Sequence, residues 1–427
     1  MVSALTRIFG VHNLALAEDV VQDAFCRAVE VWPVRGVPDN PSAWLITTAR
    51  NRALDILRRQ RTATTFAPEL GRLLESEWTL APVVDEILGA DAIQDSMLRM
   101  MFSCCHPRLS EPVQVALILN ILCGFSVDEI ASACLSGHAA VEKRITRGKK
   151  VLAESRHLFD TAVPADFSAR LPAVQRALYL LFNEGYHGAS PEASVRLELC
   201  NQAIGLTAVL LQHPLGQTPA TYALAALMTL TAARLPARTD SSGNLIALFD
   251  QDRTRWDRAR LSEGMRLLEF SASCADLTAY HIEAAMASVH AMAQRAEDTD
   301  WNTIISLYDS LMRINPSPIV ALNRAIAIAQ RDGPERGLEV IYAVPSRDRL
   351  ASYPFYSAAL GELELCRGEG ERAREHFQMA LAKARNATER SFFQQRLAAC
   401  ELPNVQLTAF WEPNPELSQV SDREDEH

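Results

Sequence analysis

The chain has 427 residues, too many for one ordinary core, so two or three domains of roughly 100 to 200 residues each are expected. Its formal charge of −10 argues against a protein that coats nucleic acid indiscriminately, because non-specific binding is mostly phosphate neutralisation. Alanine, leucine and arginine dominate and alternating β-branched runs are rare, which favours an all-α fold; no apolar stretch approaches the roughly 20 residues of a membrane span, and with no signal pattern the reading is cytoplasmic.

Residues 14 to 32, LALAEDVVQDAFCRAVEVW, repeat Ala17, Val20, Val21, Ala24, Phe25, Ala28 and Trp32 at helical spacing and predict one amphipathic helix ending at Pro33. Its acids Asp19, Asp23 and Glu30 form a stripe suited to a basic partner, or an ordinary solvated face. A loop rich in Pro, Gly and Asp leads to Ser42, read as the N-cap of a second helix through WLITTARNRALDILRRQR. Five arginines against one acid lie between Trp44 and Arg61.

Residues 62 to 90 read as a linker. From Ser110 come EPVQVALILNIL, VDEIASACL and AAVEKRITRGKKVLAESR, separated by glycine turns, the pattern of a helix-turn-helix unit with a basic last helix. A second linker at 157 to 170 precedes helices running from Leu171 to about Cys400. There Leu360, Gly361, Ala373, Phe377 and Ala380 follow tetratricopeptide-like spacing, with a weaker copy at Ala325, Gly337 and Ile341, 36 residues earlier. The last residues are acidic and read as disordered.

Nine scattered cysteines form no C-x-x-C pair, and Cys104-Cys105-His106 reads as buried side chains rather than a metal site, so no metal and no cofactor is expected. Asp250, Asp252, Arg253, Arg255 and Asp257 alternate in sign, which suits an internal ion-pair network or an interdomain clasp. With Asn183, Glu184, Tyr186 and Trp256 they are read as interdomain or structural residues, Glu184 paired to a clasp arginine. No catalytic motif stands out, and the chain is not read as an enzyme.

The segments AEDVVQDAFCRAVEVW and WLITTARNRALDILRR resemble region 2 of an extracytoplasmic-function sigma factor, and VDEIASACL with VEKRITRGKKVL resembles region 4. Through LFNEGYHG, DQDRTRWDRA and AEDTDWNTIISLYD, the remainder is similar to the helical extension of a sigma subfamily with a tetratricopeptide-like C-terminus. The resemblance implies core RNA polymerase and promoter DNA as partners, no membrane, and a protein or peptide partner for the repeat domain. It implies domains at 1–61 (region 2), 97–156 (region 4) and 171–402 (helical repeat), with a linker at 62–96 and an acidic tail at 403–427. Asp19, Asp23, Phe25 and Trp32 are implied in polymerase docking or the core beneath it. Trp44, Arg50, Asn51, Asp55, Arg58 and Arg59 lie on the helix that opens the minus-ten element, with the loop 33 to 43 catching an extruded base. Glu142, Lys143, Arg144, Arg147, Lys149 and Lys150 lie on the helix that reads the minus-thirty-five element. Family region 2 begins with a further helical turn or two before Ser3, and the recognition helix commonly starts with Thr and then basic or polar residues where this chain has Ala139, Ala140, Val141 and Glu142. The first helix is therefore expected to be short, and promoter preference does not carry over.

The C-terminal block is expected to contact both DNA-binding modules and modulate them, because so short a linker favours intramolecular contact. The alternatives are a helix-turn-helix repressor or activator with a partner- or signal-binding repeat domain, a peptide-gathering scaffold, and an enzyme with a regulatory helix-turn-helix.

Overall fold

A computed structural model describes residues 1–63, 90–133, 136–154, 159, 164–187, 195–240, 245–273, 277–345, 347–384 and 387–401. The described residues are all-α, with one isolated antiparallel bridge between Thr239 and Leu245, and the chain divides into two compact units, 1–177 and 178–427. Of the expected linker at 62–96, residues 64–89 lie outside the described residues while 90–96 are helical, and the acidic tail lies outside them as well.

In the first unit α1 (Val2–Phe9), α2 (Leu14–Arg35) and α3 (Pro41–Ala63) share a core in which small residues let the helices approach closely. Ala17, Val20, Ala24 and Ala28 of α2 meet Leu45, Ala49 and Ala53 of α3, with Leu5 and Phe9 from α1. These positions recur every three or four residues, which is why a polar sequence still forms a buried stripe.

Two local expectations need correction. The first long helix does not end at Pro33 but carries through it to Arg35. The proline removes one backbone bond near the helix end, and the chain turns only at Gly36, whose φ of 82° suits a residue without a Cβ. The second helix begins at Pro41 rather than after Ser42, and its cap is Asn40, whose Oδ1 accepts from the Ala43 amide at 3.0 Å. Proline at the first helical position lacks only an amide that would be unpaired anyway.

Beyond the undescribed stretch, α4 (Ala90–Cys104), α5 (Glu111–Ile121), α6 (Val127–Ala133) and α7 (His138–Ala153) complete the unit. Ser126 and Glu129 make a reciprocal cap at α6: the Ser126 amide donates to Glu129 Oε2 at 2.8 Å, and the Glu129 amide to Ser126 Oγ at 3.3 Å. Gly148 lets α7 lie against α5, for a Cβ there would meet Leu117 Cδ1 at 2.5 Å. The second expected linker is also corrected, because α8 (Pro164–His187) already begins at Pro164 and the division between the units falls within it. Its first turns are held to α4 by Phe167 stacked on Phe102 at 4.1 Å and by Arg170 donating to the Phe102 carbonyl at 2.9 Å. Those apolar and polar contacts explain why Pro164 starts a helix instead of continuing a loop.

In the second unit the C-terminal end of α8 is followed by α9 (Leu197–Gln212), α10 (Pro219–Ala232), α11 (Leu235–Arg238), α12 (Arg258–Ser271), α13 (Ala279–Met292) and α14 (Trp301–Ile314). Then come α15 (Pro318–Asp332), α16 (Pro334–Tyr342), α17 (Pro354–Cys366), α18 (Gly370–Ala382) and α19 (Ala387–Ala399). The last helices pair as α15 with α16 and α17 with α18. Ala325, Gly337 and Ile341 are buried in the first pair, and their counterparts 36 residues later, Gly361, Ala373 and Phe377, are buried in the second. A Cβ on Gly361 would touch the Phe377 ring at 3.0 Å, and one on Gly337 would meet Ala329 Cβ at 2.4 Å.

A similar approach joins α10 to α12, where a Cβ on Gly264 would meet Leu230 Cγ at 2.6 Å. Gly264→Val is therefore expected to destabilise the chain by about 1–3 kcal/mol through overpacking. Gly205→Ala in α9, with nothing within 4 Å of the added carbon, is expected to stabilise it by about 0.5–1 kcal/mol. Urea midpoints of the two variants should move in opposite directions.

Among the described residues no helix is long and apolar enough to cross a membrane.

Candidate nucleic-acid interface

The face of α2 turned away from its alanine stripe carries Asp19, Asp23, Phe25, Val29 and Glu30, all exposed. Phe25 and Val29 are one helical turn apart and 49% and 75% exposed, an apolar pair with acids on either side. Phe25 therefore belongs to the surface and not to the core beneath it. Trp32 instead turns inward to meet Trp44 of α3 edge-on, with ring centroids 5.5 Å apart. These two tryptophans bind the end of α2 to the start of α3 and set the five-residue turn between them. That turn, 36 to 40, is much shorter than the loop expected from the proline and glycine content.

Along α3, Asn51 and Asp55 are exposed and Arg50 is half-buried. Arg52, one of the five arginines between Trp44 and Arg61, meets Asp23 of α2 at 3.0 Å, so an acid of the expected docking surface is engaged by the neighbouring helix. The side chains of Arg58 and Arg59 lie outside the described residues.

On α7 the inward positions are Val141, Ile145, Gly148, Val151 and Leu152, which leaves Glu142, Lys143, Arg147 and Lys150 on the exposed side. The other two expected contacts point elsewhere. Arg144 donates to Ser136 Oγ at 2.8 Å, and Lys149 holds both oxygens of Glu18 on α2, at 2.8 and 3.0 Å. Reading the sequence missed Glu18 altogether. It stands next to Asp19 in an acidic stretch, and nothing local announces a partner 131 positions away.

The residues expected to form a clasp belong to the second unit. Asn183, Glu184 and Tyr186 are buried near the end of α8, and the Arg238 guanidinium lies 4.0 Å from the Tyr186 ring centroid. Within the stretch 250 to 257, Asp257 lies 3.5 Å from Arg260, and two of the acids also cap local structure. Asp252 Oδ1 caps the turn at Thr254, and Asp257 Oδ1 caps α12 through the amides of Ala259 and Arg260. Asp250 and Arg255 are exposed. Arg253 is buried beside Trp256 and donates to the carbonyls of His290 and Ala293 at 2.8 and 2.7 Å. Those two carbonyls end α13 and lack amide partners in their own helix, so a cation there is favourable.

The ring of His290 is held uncharged by the same surroundings: burial first, then the cations Arg234 and Arg253, push its pKa down to about 3. An unfolded histidine titrates near 6.5. Between those values the unfolded chain binds a proton that the native one refuses, so stability falls as pH falls. His290→Gln is expected to flatten the loss between about pH 6.5 and 5, which the histidine steepens by roughly 1–2 kcal/mol. Urea titrations across that range measure it.

Cys104 and Cys105 are buried, and burial raises both thiols, Cys105 to about 12. Among the described residues no group of three or more His, Cys, Asp or Glu side chains is placed to hold a metal ion.

The family described as Sigma-70 region 2 matches residues 1–63, and a family of unknown function (DUF6596) matches residues 170–272. An uncharacterized protein of Rhizobium meliloti (strain 1021) is 40% identical over 396 residues, covering 92% of each chain. The ECF RNA polymerase sigma factor SigX of Bacillus subtilis (strain 168) is 26% identical over 144 residues, 33% of this chain and 71% of that one. No solved structure matches.

Proposed function

The chain belongs to the same family as its Rhizobium meliloti relative and carries sigma-70 region 2 at its N-terminus, and from that premise we propose that it is a transcription initiation factor of the extracytoplasmic-function type. The carrying observation is the region 2 match over α1 to α3, which is the part that meets core polymerase and the minus-ten element in such factors. In this reading α2 docks on core polymerase through Asp19, Phe25 and Val29. The helix α3, with Trp44, Arg50, Asn51, Asp55, Arg58 and Arg59, holds the opened strand by phosphate contacts and base-edge hydrogen bonds, without a covalent step. The helices α5 to α7 act as a region 4 helix-turn-helix that presents Glu142, Lys143, Arg147 and Lys150 to the major groove of the minus-thirty-five element. The second unit, read as a tetratricopeptide-like domain, modulates the first.

One internal contact bears on how this works. The two promoter elements lie roughly 25 base pairs apart, about 85 Å at about 3.4 Å per step. Helices α2 and α7, joined by Glu18 and Lys149 at 2.8 Å, cannot reach both at once. The pair therefore opens when the holoenzyme forms. Each side chain is about one-third exposed, so the pair contributes at most about 1 kcal/mol. Glu18→Gln is expected to tighten polymerase binding by about two- to fivefold, measured by competition against the unaltered chain.

The direct test mixes the full chain with bacterial core RNA polymerase on a sizing column. A 1:1 complex is expected. Failure to co-elute, together with tight binding of duplex promoter DNA by the chain alone, would replace this reading with a helix-turn-helix repressor or activator.

A further inference from the structure

At about 100° per residue, Ala139, Glu142, Lys143, Thr146 and Arg147 fall on one side of α7, opposite the buried Val141, Ile145, Gly148 and Leu152. All five are exposed. Other charges around this helix already have partners: His138 lies 3.5 Å from Asp128, Arg144 donates to Ser136, Lys149 holds Glu18, and Glu154 accepts from Arg108. Glu142, Lys143 and Arg147 have no side-chain partner among the described residues. Spacing explains why Glu142 is left alone. The residues three and four positions away, His138, Ala139, Ile145 and Thr146, include no lysine or arginine.

In the region 4 reading, on which this inference rests, the first turns of α7 are the part that reaches base edges. A carboxylate between phosphates is repelled whatever the sequence, unless a base offers it a hydrogen bond. Glu142 therefore selects a sequence rather than strengthening attachment to all of them. In the major groove cytosine presents its N4 amino donor, whereas the N6 donor of adenine sits beside the N7 acceptor, and guanine and thymine present acceptors. Cytosine is thus the base that suits a carboxylate. Glu142 and Lys143 are successive residues, about 100° apart around the helix, so they lean toward opposite strands. A lysine in that position donates to guanine O6 and N7. Ala139 lies one turn earlier and between those two directions, and its single methyl lets the helix sit close to the bases.

We propose that Glu142 and Lys143 read the two halves of one C·G pair in the upstream promoter element, Glu142 accepting from cytosine N4 and Lys143 donating to the paired guanine. Arg147 and Lys150, farther along the helix, hold phosphates and choose no sequence.

The test selects DNA with a randomised upstream element, using the full chain bound to core RNA polymerase and, in parallel, the full chain alone. A position fixed as C·G is expected, with the other base pairs there disfavoured about tenfold or more. Glu142→Gln is expected to move the preference at that position from cytosine to adenine, because a carboxamide pairs with adenine N6 and N7. Glu142→Ala should abolish the preference, and Lys150→Ala should weaken binding to all sequences alike. Glu142 is exposed, so its replacement disturbs no packing. If the polymerase complex selects an element whose preferred bases are the same in Glu142→Gln as in the unaltered chain, the proposal is overturned and the initiation-factor reading stands. If the switch to adenine is seen with the chain alone and no polymerase complex forms, the proposal stands and that reading falls. No selected element in either arm overturns both.

Discussion

Replacing Phe25 by Ala, or Val29 by Asp, is expected to remove the complex with core RNA polymerase while leaving the chain folded. Both side chains are largely exposed on α2, on the face opposite the alanine stripe that packs against α3, so their loss opens no cavity. Aromatic side chains are enriched at interface centres, and Phe25 with Val29 presents an exposed apolar pair there. Truncating such an anchor typically costs at least about 2 kcal/mol, a thirtyfold weakening or more. Co-elution with core polymerase measures the loss, and an unchanged thermal midpoint of the free variants separates it from misfolding. Full polymerase binding by both variants would remove α2 from the docking surface.

Arg396→Ala is expected to cost about 3–5 kcal/mol of stability, the largest single effect in the second unit. Glu362 of α17 is buried, and Arg396 of α19 holds it with both arms of its guanidinium, the Nε donating to Oε2 at 3.0 Å. Burial raises the Glu362 pKa and Arg396 pulls it back. Without the arginine the native carboxyl keeps its proton over a pH range where the unfolded one has lost it. Stability of the variant should therefore recover as pH falls toward the ordinary carboxylate range. Replacing both partners by leucine should cost far less, because no buried charge is left alone. Urea denaturation of the single and double variants decides the matter.

Much of this fold is legible in the order of residues alone. The helical recurrence of Ala17, Val20, Ala24 and Ala28 marks the inward face of α2, although Phe25, which shares that spacing, turns out to solvent. The small-and-large spacing around Gly361 and Phe377 marks a close helical pair, since only a side chain without a Cβ leaves room for the ring. Element ends were less legible: Pro33 and Pro164 read as breaks, yet one sits inside a helix and the other opens one, because packing around each outweighs a local preference.

The helical class, the alanine stripe of α2 and the region 2 character of the N-terminus are each written within a few turns of chain. Tertiary structure alone decided which charges face solvent and which are held by other groups of the chain. Lys149 and Arg52 meet acids of α2, Arg253 serves the carbonyls that end α13, and Arg234, Glu283 and Asn323, far apart in the chain, line one cavity. The reason is physical: periodicity is set by backbone geometry over neighbouring residues, whereas the partner of a long charged side chain depends on which helices pack together, often more than a hundred residues away.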